Sequence, residues 1–194
     1  TSTTFWSLVL SKTAEDAILA IDTYIRKNLD FNSDANLELN QNDLFIEKTG
    51  SIYVDNTPAD TSLEFFDADK CILNTEGTGS ATYSGRLIRG IGQGSPSGSN
   101  LDFLFPLGTE GYYSPAKITF LDGKANFGND ADISVKVIPA EHPSVEESGI
   151  SLEKYWVLEK NNISISTAGA DIVFTYNDDE VPDLSSIGLY KILW

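Results

Sequence analysis

The chain has 194 residues, 29 acidic and 13 basic, for a formal charge of −16, with one cysteine, one histidine and no methionine. These counts exclude an internal disulfide and a Cys/His zinc site. The charge argues against a nucleic-acid binder, which needs a basic footprint. The acids form no tail: residues 1–97 carry 14 acids against 7 bases, and residues 98–194 carry 15 against 6. An apolar fraction of 41% supports a packed core. No apolar run is long enough to cross a bilayer, so no membrane span is expected. There is no initiator Met and no signal peptide, which points to a start inside a longer precursor.

In chain order, the first segment with a pattern is ambiguous. Thr13 to Asp16 has the form of a capping box with Asp in place of Glu, and Ala14, Ala17, Ile18, Ile21 and Ile25 follow helical spacing. Leu19, Ile21, Thr23 and Ile25 also alternate, as a strand would. One short helix near residues 14–27 and a strand are both open. Short apolar pieces follow at Ala35–Leu39, Asp43–Glu47, Ser51–Val54 and Ser62–Phe66, separated by Asn, Asp, Gly and Ser. Their spacing suits a β-meander or the rungs of a small β-solenoid, and no internal repeat is close enough to choose. Residues 77–100 are rich in Gly and Ser. The run Ser95–Asn100 reads as a linker and places a boundary between a solenoid-like or meander region, 1–94, and a second region, 95–194.

The second region reads as strands at Leu101–Leu107, Lys117–Leu121, Ile133–Val137, Tyr155–Leu158, Ile163–Ser166, Ile172–Tyr176 and Leu189–Leu193. Apolar and polar residues alternate in them, the period of a half-buried strand. Turn clusters such as Asp122-Gly123, Gly128–Asp130, Glu146–Gly149 and Asn161-Asn162 separate them. The expected fold is all-β, with an Ig-like β-sandwich following the solenoid-like strands.

Candidate chemistry is sparse. Gly90–Gly94 has glycines in neither the dinucleotide nor the P-loop arrangement and reads as a turn. His142 lacks a recognisable nucleophile and orienting acid. Cys71 sits in an apolar stretch and reads as a buried thiol. Acids gather at turns at Asp67/Asp69, Asp130/Asp132 and Asp178-Asp179-Glu180, and hard oxygen ligands on a loop suit calcium. Calcium, held by Asp130 and Asp132 or by Asp178, Asp179 and Glu180, is therefore the one cofactor considered. Carboxylate pairs for glycoside hydrolysis arise by chance among so many acids, so no catalytic residue is assigned. Tyr112 and Tyr113, beside a turn, are the candidates for stacking on a sugar ring, while Trp156 reads as core. Asn162-Ile163-Ser164 is a glycosylation sequon.

Several motifs occur in order: Gly85–Gly92, Phe103–Thr109, Tyr113–Phe120, His142-Pro143, Leu152–Trp156, Ile172–Asp179 and Leu189–Lys191. This series, over roughly residues 83–194, resembles a β-rich module of large secreted and cell-surface proteins of Bacteroidetes-type bacteria, often type IX secretion substrates. The stretch Ala35–Asn40 resembles the solenoid-like rungs preceding that module. The resemblance implies an extracellular, non-catalytic stalk, scaffold or adhesin segment. Its partners would be neighbouring modules of the parent chain, glycans or other surface proteins. It supplies no catalytic residues. The alternative is a carbohydrate-binding accessory module of a secreted polysaccharide-active enzyme.

Overall fold

The structure, a computed structural model, describes residues 2–11, 16–59, 63–75, 83–109, 111–145 and 152–181, apart from the side chains of Leu63 and Asp178. Its first strands are β1 (Ser2–Leu10), β2 (Ala17–Ile18), β3 (Asp22–Phe31), β4 (Leu37–Glu38), β5 (Leu44–Ile46), β6 (Ser51–Val54), β7 (Thr57–Pro58), β8 (Ile72–Leu73) and β9 (Leu87–Gly90). Strands β1, β3, β5 and β9 lie parallel in one sheet, and β2, β4 and β8 lie parallel in another. From β1 to β5 the chain alternates between the two sheets; β6 and β7 then stay in the first sheet before β8 enters the second and β9 returns to the first, so the strands trace the coils of a short solenoid. Ser2 pairs with Asp22 in the first sheet and Ala17 with Leu37 in the second, twenty residues on in both. The coil repeats its backbone path and its inward apolar positions, not its residues. Only the first half of β3 faces β5; its second half faces β6.

Inward side chains stack in columns across the coils. One column runs Thr23, Leu44, Leu87; its neighbour runs Ile25, Ile46, Arg89. All six are buried. The guanidinium of Arg89 lies 5.9 Å from the ring centre of Phe103 and reaches the Gly50 carbonyl at 3.5 Å.

The remaining strands are β10 (Leu101–Phe105), β11 (Leu107–Thr109), β12 (Tyr112–Tyr113), β13 (Ala116–Phe120), β14 (Ala125–Ile138), β15 (Tyr155–Ile165) and β16 (Ala170–Phe174). Strand β11 joins β8 in parallel and so extends the second sheet of the coils. Gly108 makes this approach possible: a Cβ there would lie 2.7 Å from Cys71 Sγ and 2.8 Å from the Tyr112 carbonyl oxygen. Strand β14 runs antiparallel to β9 and covers that end of the solenoid, with Val135 and Ile133 continuing the two columns. Strand β15 then pairs with β14. Strands β10, β13 and β16 form a third, antiparallel sheet. Phe103, Phe120 and Phe127 join it to the core through edge-to-face contacts at 6.1 and 5.1 Å.

The all-β class is what the structure has. The region expected to form an Ig-like sandwich spreads its strands over all three sheets. The β9–β14 ladder, the β8–β11 ladder and one continuous apolar core all cross the expected boundary at residue 94. Of the two readings open near residues 14–27, the structure has the strand: residues 16–27 hold β2 and the start of β3, because the apolar positions there are used by coil pairing; residues 14 and 15 lie outside the described residues. Two local expectations are corrected. Leu63–Phe65 is a 3-10 turn rather than part of a strand. Gly128–Asp130 and Asn161-Asn162 lie inside β14 and β15 rather than at turns. Positive φ at Asp130 (52°) and Asn162 (52°) absorbs a register shift between Phe127 and Asp132, so both strands run through. Glu146–Gly149 and Leu189–Leu193 lie outside the described residues.

Candidate functional site

At the corners of the coils, polar side chains serve the backbone. Asp16 Oδ1 accepts the Asn36 N–H at 3.0 Å, and Asn36 Oδ1 accepts the Cys71 N–H at 2.9 Å. At another corner Asp22 Oδ1 accepts the Asp43 N–H at 2.9 Å, and Asp43 Oδ1 accepts the Arg86 N–H at 3.0 Å. Each bond links one coil to the next. The Arg86 guanidinium closes the series on Asp43 (2.6 Å) and on Glu159 of β15 (3.0 Å). The Asp43 hydrogen bond holds that guanidinium firmly protonated. Cys71 is fully buried, and its thiol faces Asn36 Oδ1 at 3.5 Å. Burial, and then the charges of Asp67, Asp16 and Asp69, push the thiol up, so it is not a reactive thiolate.

Adjacent strand residues face opposite ways, and this separates the two expected sugar platforms. Tyr113 turns toward the core, where burial pushes its phenol up. Tyr112 is 37% exposed, and its ring sits 5.0 Å from Lys154 Nζ. Lys154 is itself buried at 4% exposure and donates to Ser114 Oγ at 2.5 Å. It also pairs with Glu180 Oε1, while Glu180 Oε2 accepts the Asn177 N–H at 2.8 Å. Trp156 donates to the Ser114 carbonyl at 2.9 Å and stacks on Phe174 at 4.8 Å. Burial draws the Lys154 ammonium down, and Glu180 opposes that shift.

The expected calcium ligands are placed as follows. Glu180 is committed to Lys154 and the Asn177 amide. Asp132 Oδ2 accepts from Asn161 Nδ2 at 3.0 Å, and the Asp130 carbonyl accepts from the same amide at 3.4 Å. Asp179 is exposed, and the Asp178 side chain lies outside the described residues. Among the described residues, no three His, Cys, Asp or Glu side chains converge as a metal-holding group. His142 packs edge-on against Tyr155 at 4.9 Å, and its Nδ1 accepts the Ser144 N–H at 3.2 Å. Asn162 of the sequon is exposed, with its amide donating to the Asn129 carbonyl at 3.0 Å.

Two features of the surface were not singled out by sequence. The first is the coil formed by β1 and β2. The second edge of β1 has no partner strand among the described residues. Phe5, Trp6, Val9 and Ile18 of this coil are exposed, Trp6 at 67%. The second feature is a groove of about 410 Å³ between Trp6, Arg26, Lys27, Glu47 and Thr49, with Arg26 and Glu47 paired at 3.3 Å. The signal available was the uncharged run Thr1–Ser11, which carries a Trp in an otherwise acidic chain.

The fold and these surfaces define an all-β protein whose short parallel solenoid is covered at one end by an antiparallel hairpin. Comparison with protein-family models, with curated proteins and with solved structures finds no match to this chain. No helix among the described residues is long and apolar enough to cross a membrane.

Proposed function

We propose that the protein is a non-catalytic structural or adhesive module of an extracellular cell-surface protein, joined to its neighbours by strand addition. The observation that carries this reading is the asymmetry of the solenoid ends. Strand β14 covers one end. At the other, β1 presents a nine-residue edge with no Lys, Arg, Asp, Glu or Pro in it. The Asn32 N–H bonds the Leu10 carbonyl at 2.8 Å, so the amide groups of Leu10 face β3. Alternation then turns those of Val9 to the open edge, where they fit another strand. At the coil corners Asp16, Asn36 and Asp22 each accept a backbone N–H of the next coil, which supports a scaffold role. Concentration-dependent sedimentation of the chain tests the reading. Self-association is expected, and Trp6→Lys or Val9→Lys should abolish it, since a charge on an edge strand blocks pairing. A wild-type protein that stays monomeric at all concentrations would overturn it.

A carbohydrate-binding accessory role is the second reading. The Trp6 groove favours it, because an exposed indole beside paired charged hydrogen-bonding groups is suited to a sugar face. Glycan-array binding that Arg26→Ala removes and Val9→Lys spares would support it over strand addition.

A further inference from the structure

The Lys154–Glu180 pair is unlike any other ion pair described in the molecule. The side chains of Arg86, Asp43, Lys117 and Asp102 keep between 27 and 37% of their exposure. Those of Lys154 and Glu180 keep 2% and 6%. Lys154 lies immediately before β15, and Glu180 ends a 3-10 turn, Asp178–Glu180, after β16. The two meet beside Ser114, whose hydroxyl is 2.5 Å from Lys154 Nζ and which is itself fully buried. The Tyr112 ring lies 5.0 Å from the same nitrogen. A primary amine and a carboxyl group are thus held together away from water, with a hydroxyl in contact with the amine.

We propose that Lys154 and Glu180 condense to form an intramolecular amide between Lys154 Nζ and Glu180 Cδ. The Lys154 ammonium first passes a proton to the Glu180 carboxylate, giving a neutral amine and a carboxylic acid. The Nζ lone pair then attacks Cδ, forming the C–N bond and a tetrahedral centre. The nitrogen gives a proton to the Ser114 hydroxyl, which returns one to the departing oxygen. The C–O bond breaks and water leaves. Amine and acid become amide and water, with no oxidant, reductant or activating group required.

Three physical effects favour the reaction. Desolvation stabilises the neutral pair relative to the ion pair, the direction in which burial shifts Lys154. The contact of Lys154 Nζ with Glu180 Oε1 holds the amine beside the carboxyl carbon, and such fixed proximity can supply an effective concentration on the order of 10⁵ M or more. Burial of the product amide also slows hydrolysis by excluding water. The cross-link would tie the start of β15 to the chain leaving β16, the edge strand of the third sheet. It stands independently of the proposed function.

Mass spectrometry of the intact chain under denaturing conditions tests the proposal. The wild-type mass is expected to fall short of the sequence mass by one water. Peptide mapping should recover one fragment joining Lys154 to Glu180. Lys154→Arg keeps the charge and the ion pair but cannot form this amide, and is expected at its sequence mass. Glu180→Gln should reach the same final mass as wild type, by loss of ammonia. A wild-type chain at its full sequence mass after prolonged incubation in the folded state would overturn the proposal. A missing water mapped to any other pair of residues would do so equally.

Discussion

The parallel coils and the antiparallel strands spend their polar residues differently. In the coils, Asp16, Asn36, Asp22 and Asp43 each accept a backbone N–H from the following coil. Between the antiparallel strands β10 and β13, side chains pair with one another across the ladder: Asp102 accepts from Thr119 at 2.7 Å and pairs with Lys117 at 3.0 Å. The reason lies in the backbone. A coil corner leaves the sheet ladder, so its N–H needs an acceptor that no neighbouring strand supplies. An antiparallel ladder satisfies its own backbone and leaves cross-strand side chains to pair with one another. Acidic residues in the coils are therefore largely structural, and a high count of them says little about metal binding.

Asn74 stands where the two regions meet and offers the strongest way to break this comparison. It is buried, donates to the Gly85 carbonyl at 2.7 Å and accepts the Val137 N–H of β14 at 2.9 Å. Asn74→Ala strands both backbone groups and should cost roughly 2–4 kcal/mol in urea unfolding. A loss below about 1 kcal/mol would mean that the covering strand does not depend on this link. A smaller effect separates buried from exposed corners. Asn36→Ala removes a buried acceptor and should cost about 1–3 kcal/mol, whereas Asp22→Ala acts at an exposed bond and should cost less than about 1 kcal/mol. Equal losses would show that burial does not set the worth of a corner.

The class of fold was legible because alternation survives in β13 and β16, where one face is more buried than the other. The coils were only half legible. Strands such as β4 and β8 are two residues long, too short to display a period, and the corner residues that repeat across coils differ in type: Asp16, Asn36, then Cys71. Asn161-Asn162 resembled a turn because Asn tolerates positive φ, and the structure uses that tolerance inside a strand instead. Of the candidate site, Glu180 was noticed as an acid at a turn. Its partner Lys154 carried no signal, since the pair is 26 positions apart in sequence and is joined only by the packing of β12, β15 and the chain after β16.

The smallest expected effect sharpens the comparison through pH. Burial alone would raise the Asp102 carboxyl, but the Thr119 hydroxyl and the Lys117 ammonium outweigh it, and the net shift is downward. A carboxyl held lower in the folded state than in the unfolded chain contributes stability above its unfolded value. That contribution is lost as pH falls from the ordinary carboxylate range through the folded value. Asp102→Asn removes it at neutral pH and changes little in strong acid, where the wild-type group is protonated in both states. The expected difference between the two proteins is less than about 1 kcal/mol at neutral pH, as for other partly exposed pairs. It should shrink toward acid, read as converging urea midpoints. Because Asp102 pairs with side chains rather than with the backbone, Lys117→Gln should reproduce part of the same loss. If Lys117→Gln left the acid limb unchanged while Asp102→Asn altered it, the Thr119 hydrogen bond alone would account for the shift.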